Sequence, residues 1–428
     1  MLSIDFIRKN TDLVRENIKK KFQFEKVELV DKVIELDKQI RELKVQDDNL
    51  RSQRNKMSQE IGVLMKNKNF EESEKVKNSL AQIKKEMEEV EAKLEKLEPE
   101  FTSIMYKIPN MIADSVPVGK DDSENVERKR YLEAKEKPFE VPYHLDILEK
   151  LDGIDIDSAR RVSGQGFYYL TGDIALLHSA VLTYARDFMV SKGFTYVIPP
   201  FMIKSDIVSG VMSFAEMENM MYKIEGEDLF LIGTSEHSMI GRYVGQTIDE
   251  KSLPLALTSY SPCFRKEKGA HGIEERGIYR IHQFEKQEMI VICKPEESEE
   301  WYNKLWSYTV ELFTSMEIPV RTLECCSGDL ADLKYKSLDV EAWSPRQKKY
   351  FEVGSCSNLT EAQSRRLKIR YKTEEGNKFP HTLNNTVVAP PRMLIAFVEN
   401  HLQEDGSIYI PEVLRKYMGG KEYIKVKN

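Results

Sequence analysis

From Val27 onward, apolar residues recur at alternating spacings of four and three: Leu29, Val33, Leu36, Ile40, Leu43, Leu50, Met57, Ile61 and Leu64. A polar break, Lys66-Asn67-Lys68-Asn69, interrupts the pattern, which restarts with Val76, Leu80, Ile83, Met87, Val90, Leu94 and Leu97. Heptads sustained on both sides of a short turn predict an antiparallel helical hairpin over about residues 27–98. At about 1.5 Å per residue its first helix reaches roughly 60 Å, too long for core packing alone, so the hairpin is expected to be an arm. Asp47 and Arg54 fall on the apolar seam, a sign of register control or of a contact surface. Arg51, Arg54, Lys56, Lys66, Lys68, Lys75 and Lys77 gather towards the tip, while Glu86, Glu88, Glu89 and Glu91 mark the stem. Such an arm is either a lever that grips a phosphate backbone or a dimerisation coil with solvated faces, and taken alone it favours the coil.

Upstream, Phe6–Phe22 reads as one short helix. Downstream, Ile108-Pro109-Asn110 and the stretch Ser115–Asp122 lose all periodicity among Pro, Gly and Asp, which reads as a linker. This divides the chain into an N-terminal domain, residues 1–110, and a second domain, residues 111–428. In the second, a helical pattern over Leu176–Ser191 runs into Tyr196-Val197-Ile198 and then Pro199-Pro200. Strand-like runs follow at Leu229–Ile232, Arg321–Glu324, Leu338–Trp343 and Tyr350–Gly354, with a helical segment at Trp301–Thr314. Strands in succession between flanking helices predict an α+β domain built on an antiparallel sheet.

Other classes are disfavoured. Charged residues are 32% of the 428, and no apolar stretch approaches a signal region or a membrane span, so a cytoplasmic protein with no membrane partner is expected. The five cysteines form no C-x-x-C pair, so neither a disulfide framework nor a zinc ribbon is indicated. A net charge of −7 argues against blanket capture of nucleic acid but leaves room for a local basic strip. Neither G-x-G-x-x-G nor G-x-x-x-x-G-K-[ST] occurs, which argues against a Rossmann or P-loop nucleotide site.

The chemistry concentrates between Cys263 and Glu288, CFRKEKGAHGIEERGIYRIHQFEKQE. Two strand-like runs, Leu255–Phe264 and Ile278–Cys293, flank a polar loop and read as an antiparallel pair. Period-2 alternation puts Phe284, Lys286 and Glu288 on one face of the second strand, and Arg265 and Glu267 leave the first. Such cargo suits a multiply charged ligand, and a solvated polar face is the plain alternative.

The arm, followed by Gly233-Thr234-Ser235-Glu236, Phe264-Arg265-x-Glu267, His282-Gln283-Phe284-x-Lys286-x-Glu288, FEVGSCSN and TLNNTVVAPPR, resembles the seryl-tRNA synthetase family over essentially the whole chain. That family belongs to the class II aminoacyl-tRNA synthetases, and the likeness is to its common, zinc-free branch. The resemblance implies a serine–tRNA ligase that activates L-serine with ATP to seryl-adenylate and transfers it to the 3′ end of serine tRNA. It implies Arg265 and Arg392 as the catalytic cations, on the α-phosphate and the γ-phosphate end of ATP. Phe284 would stack on adenine, Glu267 would meet its amino edge, and Glu352 and Ser355 would hold Mg²⁺. Thr234, Glu236, Arg265, Glu288, Asn384 and Thr386 would form the serine pocket. Arg51, Arg54, Lys56, Lys66, Lys68, Lys75 and Lys77 would touch the long variable arm of the tRNA. A homodimer is implied as well, with the helix before Pro200 at the subunit interface and the arm of one subunit serving the active site of the other.

Ser235 stands where many family members have Ala, and Pro390-Pro391 where many have a nearby glycine. Both read as variation, since Arg392 remains. The loop Lys268–Arg276, with Lys268, His271, Glu274, Glu275 and Arg276, is expected to reorganise when the tRNA acceptor end arrives. Two other readings compete: a synthetase-like paralogue that loads a small amino acid onto a carrier, and a non-catalytic RNA-binding scaffold. The first usually lacks or reshapes the arm, and the second predicts loss of a phosphate arginine.

Overall fold

A computed structural model describes residues 1–267 and 277–426, so the expectation for the loop 268–276 lies outside the described residues. Packing divides the chain into two units, Leu2–Lys19 with Gln23–Pro109, and Met1 with Lys20–Phe22 and Asn110–Asn428.

The first unit opens with α1 (Ile4–Lys9) and α2 (Thr11–Lys20), where the sequence reads as a single helix. The break is at Asn10, with φ −130° and ψ 39°. The Asn10 side chain donates to the Phe6 carbonyl at 3.0 Å and the Thr11 hydroxyl to the Ile7 carbonyl at 3.0 Å. Short polar side chains thus satisfy the backbone locally and compete with helix continuation. The hairpin follows as α3 (Glu28–Lys66) and α4 (Phe70–Lys107), with the turn at the predicted polar break. Val30, Val33, Leu36, Ile40 and Leu50 are buried on α3, as are Ile83, Met87 and Val90 on α4. Towards the tip the seam opens: Ile61, Leu64, Val76 and Leu80 are only half-buried, and Val63, Met65 and Phe70 are exposed. Asp47 sits buried in the seam with Arg51 Nε on its Oδ2 at 2.8 Å.

The second unit is built on a mostly antiparallel sheet. In chain order its parts are β1 (Val126–Tyr131), α5 (Gly172–Ser191), β2 (Thr195–Val197), α6 (Ser205–Val211), α7 (Ser235–Gly241), β3 (Leu255–Phe264) and β4 (Gln283–Cys293). Then come α8 (Ser298–Ser315), β5 (Val320–Glu324), β6 (Lys336–Ser344), β7 (Lys349–Asn358), α9 (Ala362–Arg366), β8 (His381–Val388) and α10 (Pro390–His401). Among the described residues the eight strands pair in the order β1-β5-β6-β7-β8-β4-β3-β2, and β2–β3 is the parallel pair. The run Leu229–Ile232 stays out of this sheet, Phe230–Leu231 pairing instead with Met202–Ile203.

The central strand β4 explains the architecture. Its second half, Met289-Ile290-Val291-Ile292-Cys293, is buried throughout, because both faces of the sheet are covered there. Met289, Val291 and Cys293 pack into the core shared with α5, α8 and α10, and Ile290 and Ile292 into a second core with Val208 and Ile240. Its first half alternates polar residues and opens into a cavity. The ladder begins at Gln283 rather than Ile278, because the chain just before it turns aside. The His282 N–H bonds the Gly166 carbonyl at 2.9 Å, and the His282 carbonyl accepts from the Arg265 N–H at 2.9 Å. Arg265 therefore follows β3 instead of ending it.

Candidate active site

A cavity of about 410 Å³ lies over the open half of β4. Its floor is set by strand alternation, which turns Phe284, Lys286 and Glu288 towards it while β8 adds Asn384 and Thr386. The neighbouring strand β7 supplies Glu352 and Ser355. Thr234 and Glu236 enter at the start of α7, Arg265 and Glu267 just after β3, and Arg392 in the first turn of α10. All eleven body residues singled out from the sequence line this one cavity.

One end is built for anions. Arg265 Nε is anchored on the Gly233 carbonyl at 3.1 Å, and its guanidinium lies 5.2 Å from the Phe284 ring centroid. Arg392 sits 4.7 Å from the Tyr279 ring and donates to Glu352 Oε2 at 2.9 Å and to the Glu352 carbonyl at 3.2 Å. Two prolines open α10, where a missing N–H costs nothing and φ is preset, and they hold Arg392 at the cavity wall. Burial drives the Glu352 carboxyl up, but Arg392, Lys334 and Arg265 together outweigh it and hold it below its ordinary value. Glu267 adopts φ 49°, a left-handed conformation that costs a glutamate about 1 kcal/mol or more, and Arg280 stands 3.8 Å from its carboxylate.

The other end is built for a cation. Glu288 is 2% exposed, accepts the Thr234 hydroxyl at 3.3 Å and pairs closely with Lys286. Burial, and then the charge of Glu288, raise the Glu236 carboxyl to about 7, against opposing pulls from Gln363, Lys286 and Lys334. The Thr234 hydroxyl caps α7 by accepting from the Glu236 N–H at 3.3 Å, so the two pocket residues fix each other. Ser235 is turned away from both: its hydroxyl accepts from Ser259 at 2.6 Å, and both serines are fully buried.

Sequence reading missed several wall residues. Lys286 was legible as a face of β4 but received no role. Lys334, Asp339 and Tyr279 carry no local signal, and Gln363 reaches the pocket from α9. Lys334 donates to Ser337 at 3.3 Å and to Ser355 at 3.4 Å. Cys325, Asp329 and Asp339 bring ligand-type atoms within 4.8 Å of one another, with Cys325 buried and its thiol pushed up by that burial.

On the hairpin, the seven candidate cations do not form one cluster. Arg51 pairs with Asp47 at 2.8 Å and approaches Glu91 at 3.5 Å, Lys75 meets Glu72 at 3.3 Å and Lys77 meets Glu74 at 3.3 Å. Arg54 bonds Asn55 at 3.2 Å, and Lys56, Lys66 and Lys68 are exposed. Exposed pairs of this kind contribute about 0–1 kcal/mol, so a polyanion can displace them.

An arginine pair and an acidic pocket facing one cavity on an antiparallel sheet define a class. Residues 220–401 match the family described as tRNA synthetase class II core domain (G, H, P, S and T), and residues 1–112 match the seryl-tRNA synthetase N-terminal domain. A serine–tRNA ligase of Thermococcus onnurineus is 41% identical over 99% of this chain and 97% of its own. The crystal structure of a seryl-tRNA synthetase from Pyrococcus horikoshii complexed with ATP has a TM-score of 0.93 and 38% identity, covering 100% of both chains. A cytoplasmic serine–tRNA ligase from Naegleria fowleri in complex with AMP has a TM-score of 0.87 and 31% identity, covering 100% of this chain and 99% of its own. The chain belongs to the serine–tRNA ligase family of class II aminoacyl-tRNA synthetases.

Proposed function

We propose that the cavity joins L-serine to ATP and then delivers serine to the 3′ end of serine tRNA. The observation that carries this reading is the placing of two arginines, Arg265 and Arg392, and two carboxylates, Glu236 and Glu288, around one cavity of about 410 Å³. The serine carboxylate attacks the α-phosphorus of ATP, and the bond to pyrophosphate breaks. The 3′-terminal ribose hydroxyl of the tRNA then attacks the activated carbonyl and releases AMP. Arg265 holds the α-phosphate and the serine carboxylate, and its fork follows the charge that develops between them. Arg392 leaves Glu352 for the γ-phosphate end, Phe284 stacks on adenine, and Glu267 meets the amino edge. Glu236 and Glu288 take the serine ammonium, while Thr234, Asn384 and Thr386 offer partners to its hydroxyl. Catalysis comes from positioning and charge stabilisation, with no dedicated general base.

The residues around Glu352 and Ser355 fit a magnesium ion. Asp339 faces Ser355 across the β6–β7 ladder, and among the described residues its buried Oδ1 has no hydrogen-bond partner. Burial, and then the nearby charge of Glu352, raise its carboxyl. A hard divalent cation would relieve such crowding, and when bound it would supply positive charge to neutralise the phosphates. Glu352 and Ser355 are the residues that would hold it.

The hairpin takes the long variable arm of the tRNA through its distal cations, reading shape and backbone. A homodimer is supported by large apolar side chains left exposed on and just beyond α5: Leu176, Val190, Ile198 and Met202. No helix among the described residues is long and apolar enough to cross a membrane.

Serine-dependent ATP–pyrophosphate exchange, followed by charging of serine tRNA with and without its variable arm, tests the reading. No exchange with serine overturns it, and exchange without charging favours a carrier-loading paralogue. The pocket also sets a pH dependence. The serine ammonium needs Glu236 ionised, and Glu288, Lys286 and Lys334 face that carboxyl. Since Glu236 titrates at about 7, kcat/KM for serine is expected to rise as pH increases to about 7 and then flatten. The KM for ATP should stay level; a serine profile already flat from pH 6 rules out Glu236 as the titrating group.

A further inference from the structure

Glu236 does not hold its position unaided. Gln363 of α9 is fully buried, and each polar atom of its side-chain amide is engaged. Nε2 donates to Glu236 Oε1 at 2.7 Å and to the Val211 carbonyl at 3.2 Å. Oε1 accepts the Thr382 hydroxyl at 2.7 Å. Turning the amide over would set its oxygen against a carboxylate and a carbonyl, so this network allows one orientation. Three residues along, Arg366 donates to the carbonyls of Ser209 at 3.1 Å and Met212 at 2.8 Å. The short helix α9 therefore ties the end of α6, whose Val211 borders the cavity, to the carboxylate of Glu236.

We propose that Gln363 is a positioning residue for serine: it fixes one oxygen of Glu236 so that the other is presented to the substrate ammonium, and Thr382 sets the amide that does so. The proposal rests on the reading of Glu236 as an ammonium ligand. The geometry gives Gln363 a second effect. A buried N–H aimed at a carboxylate favours its ionised form, the form that attracts an ammonium. Of the charged groups facing Glu236, Glu288 opposes ionisation, while Lys286 and Lys334 favour it. Gln363 acts with the two lysines, but through a directed bond instead of a diffuse field.

Exchange kinetics on the full chain test this. Gln363→Met keeps the volume and removes the donor. Its KM for serine is expected to rise about tenfold or more, the loss typical of a hydrogen bond to a charged group, with the KM for ATP within about twofold. The acidic limb of kcat/KM for serine should move to higher pH, since Glu236 then keeps its proton longer. Thr382→Val keeps the shape of its side chain and frees the amide to turn. It should raise the serine KM less, in the same direction, again without touching ATP. Parallel increases in both KM values, or an unmoved acidic limb, would mean that Gln363 only supports the fold, and would overturn the proposal. Should Gln363→Met fail to fold, Thr382→Val decides alone, and an unchanged serine KM there overturns it. Absence of serine-dependent exchange in the unsubstituted chain defeats the serine reading itself, and is seen before any variant is compared.

Discussion

Arg265→Ala is expected to lower serine-dependent ATP–pyrophosphate exchange by about 10³-fold, roughly 4 kcal/mol of transition-state stabilisation. The size follows from where the charge sits. Arg265 stands at the junction of the two ends of the cavity, above Phe284 and beside the pocket of Glu236 and Glu288. In the proposed reaction a guanidinium there meets two anions that must approach each other, the serine carboxylate and the α-phosphate. The fold should survive the change, because among the described residues the Arg265 side chain makes one hydrogen bond, to the Gly233 carbonyl. The melting temperature is therefore expected to move by only a few degrees, a scale set by about 1 kcal/mol. Arg265→Lys separates charge from shape: it restores a cation but not a planar fork, and should recover only part of the rate. Full exchange in Arg265→Ala would remove this residue from the reaction.

Shortening the hairpin should have the opposite signature. Removal of residues 52–89, closed by a short Gly-rich turn, is expected to leave exchange within about twofold and to cut charging of serine tRNA by about 10²-fold or more. The deleted stretch carries Arg54, Lys56, Lys66, Lys68, Lys75 and Lys77. Loss of several phosphate contacts weakens a polyanion complex steeply and also flattens its dependence on salt. The cut follows the layers of the hairpin: Arg51 faces Glu91 at 3.5 Å, so the retained halves of α3 and α4 still meet in register. The assay compares charging rates with serine tRNA at two salt concentrations. Normal charging by the shortened chain would return the hairpin to the status of a dimerisation coil.

The hairpin was the most legible part of the chain because its signal is local and repeated. Its turn fell at Asn67–Asn69 as the polar break requires and α3 starts where the heptads do, but α4 runs on to Lys107, past the expected end near residue 98. The single helix expected over Phe6–Phe22 was less secure, since a break made by Asn10 and Thr11 leaves the apolar pattern almost unchanged. In the second unit, the alternation of Phe284, Lys286 and Glu288 announced a face, but nothing local could say that β8 and β7 would lie beside it. That knowledge came from the ordered set of motifs, which is why Asn384 and Glu352 could be assigned at all. Lys334 and Gln363 escaped because the site residues they reach, Ser355 and Glu236, lie on other elements, while they themselves sit on a loop and on a five-residue helix. Their effect is electrostatic or mediated by another side chain, and neither leaves a period in the sequence.

Asp47 gives the hairpin a fixed origin for length. Its carboxylate is buried in an apolar seam, one oxygen held by Arg51 and the other without a partner among the described residues. Arg51, held by Asp47 on its own helix, reaches across to Glu91 of α4 at 3.5 Å, so sliding α3 against α4 by one heptad would separate that pair and give Asp47 new neighbours in the seam. The pairs Lys44–Glu98 at 2.7 Å and Arg51–Glu91 at 3.5 Å thus key the two helices around Asp47, and what lies beyond behaves as a measured extension. Adding seven residues to each helix on the tip side would lengthen that extension by about 10 Å and leave the key untouched. The hairpin is in this sense a graduated rule with a pinned zero, and its reach can be reset in whole heptads to suit an RNA of different dimensions.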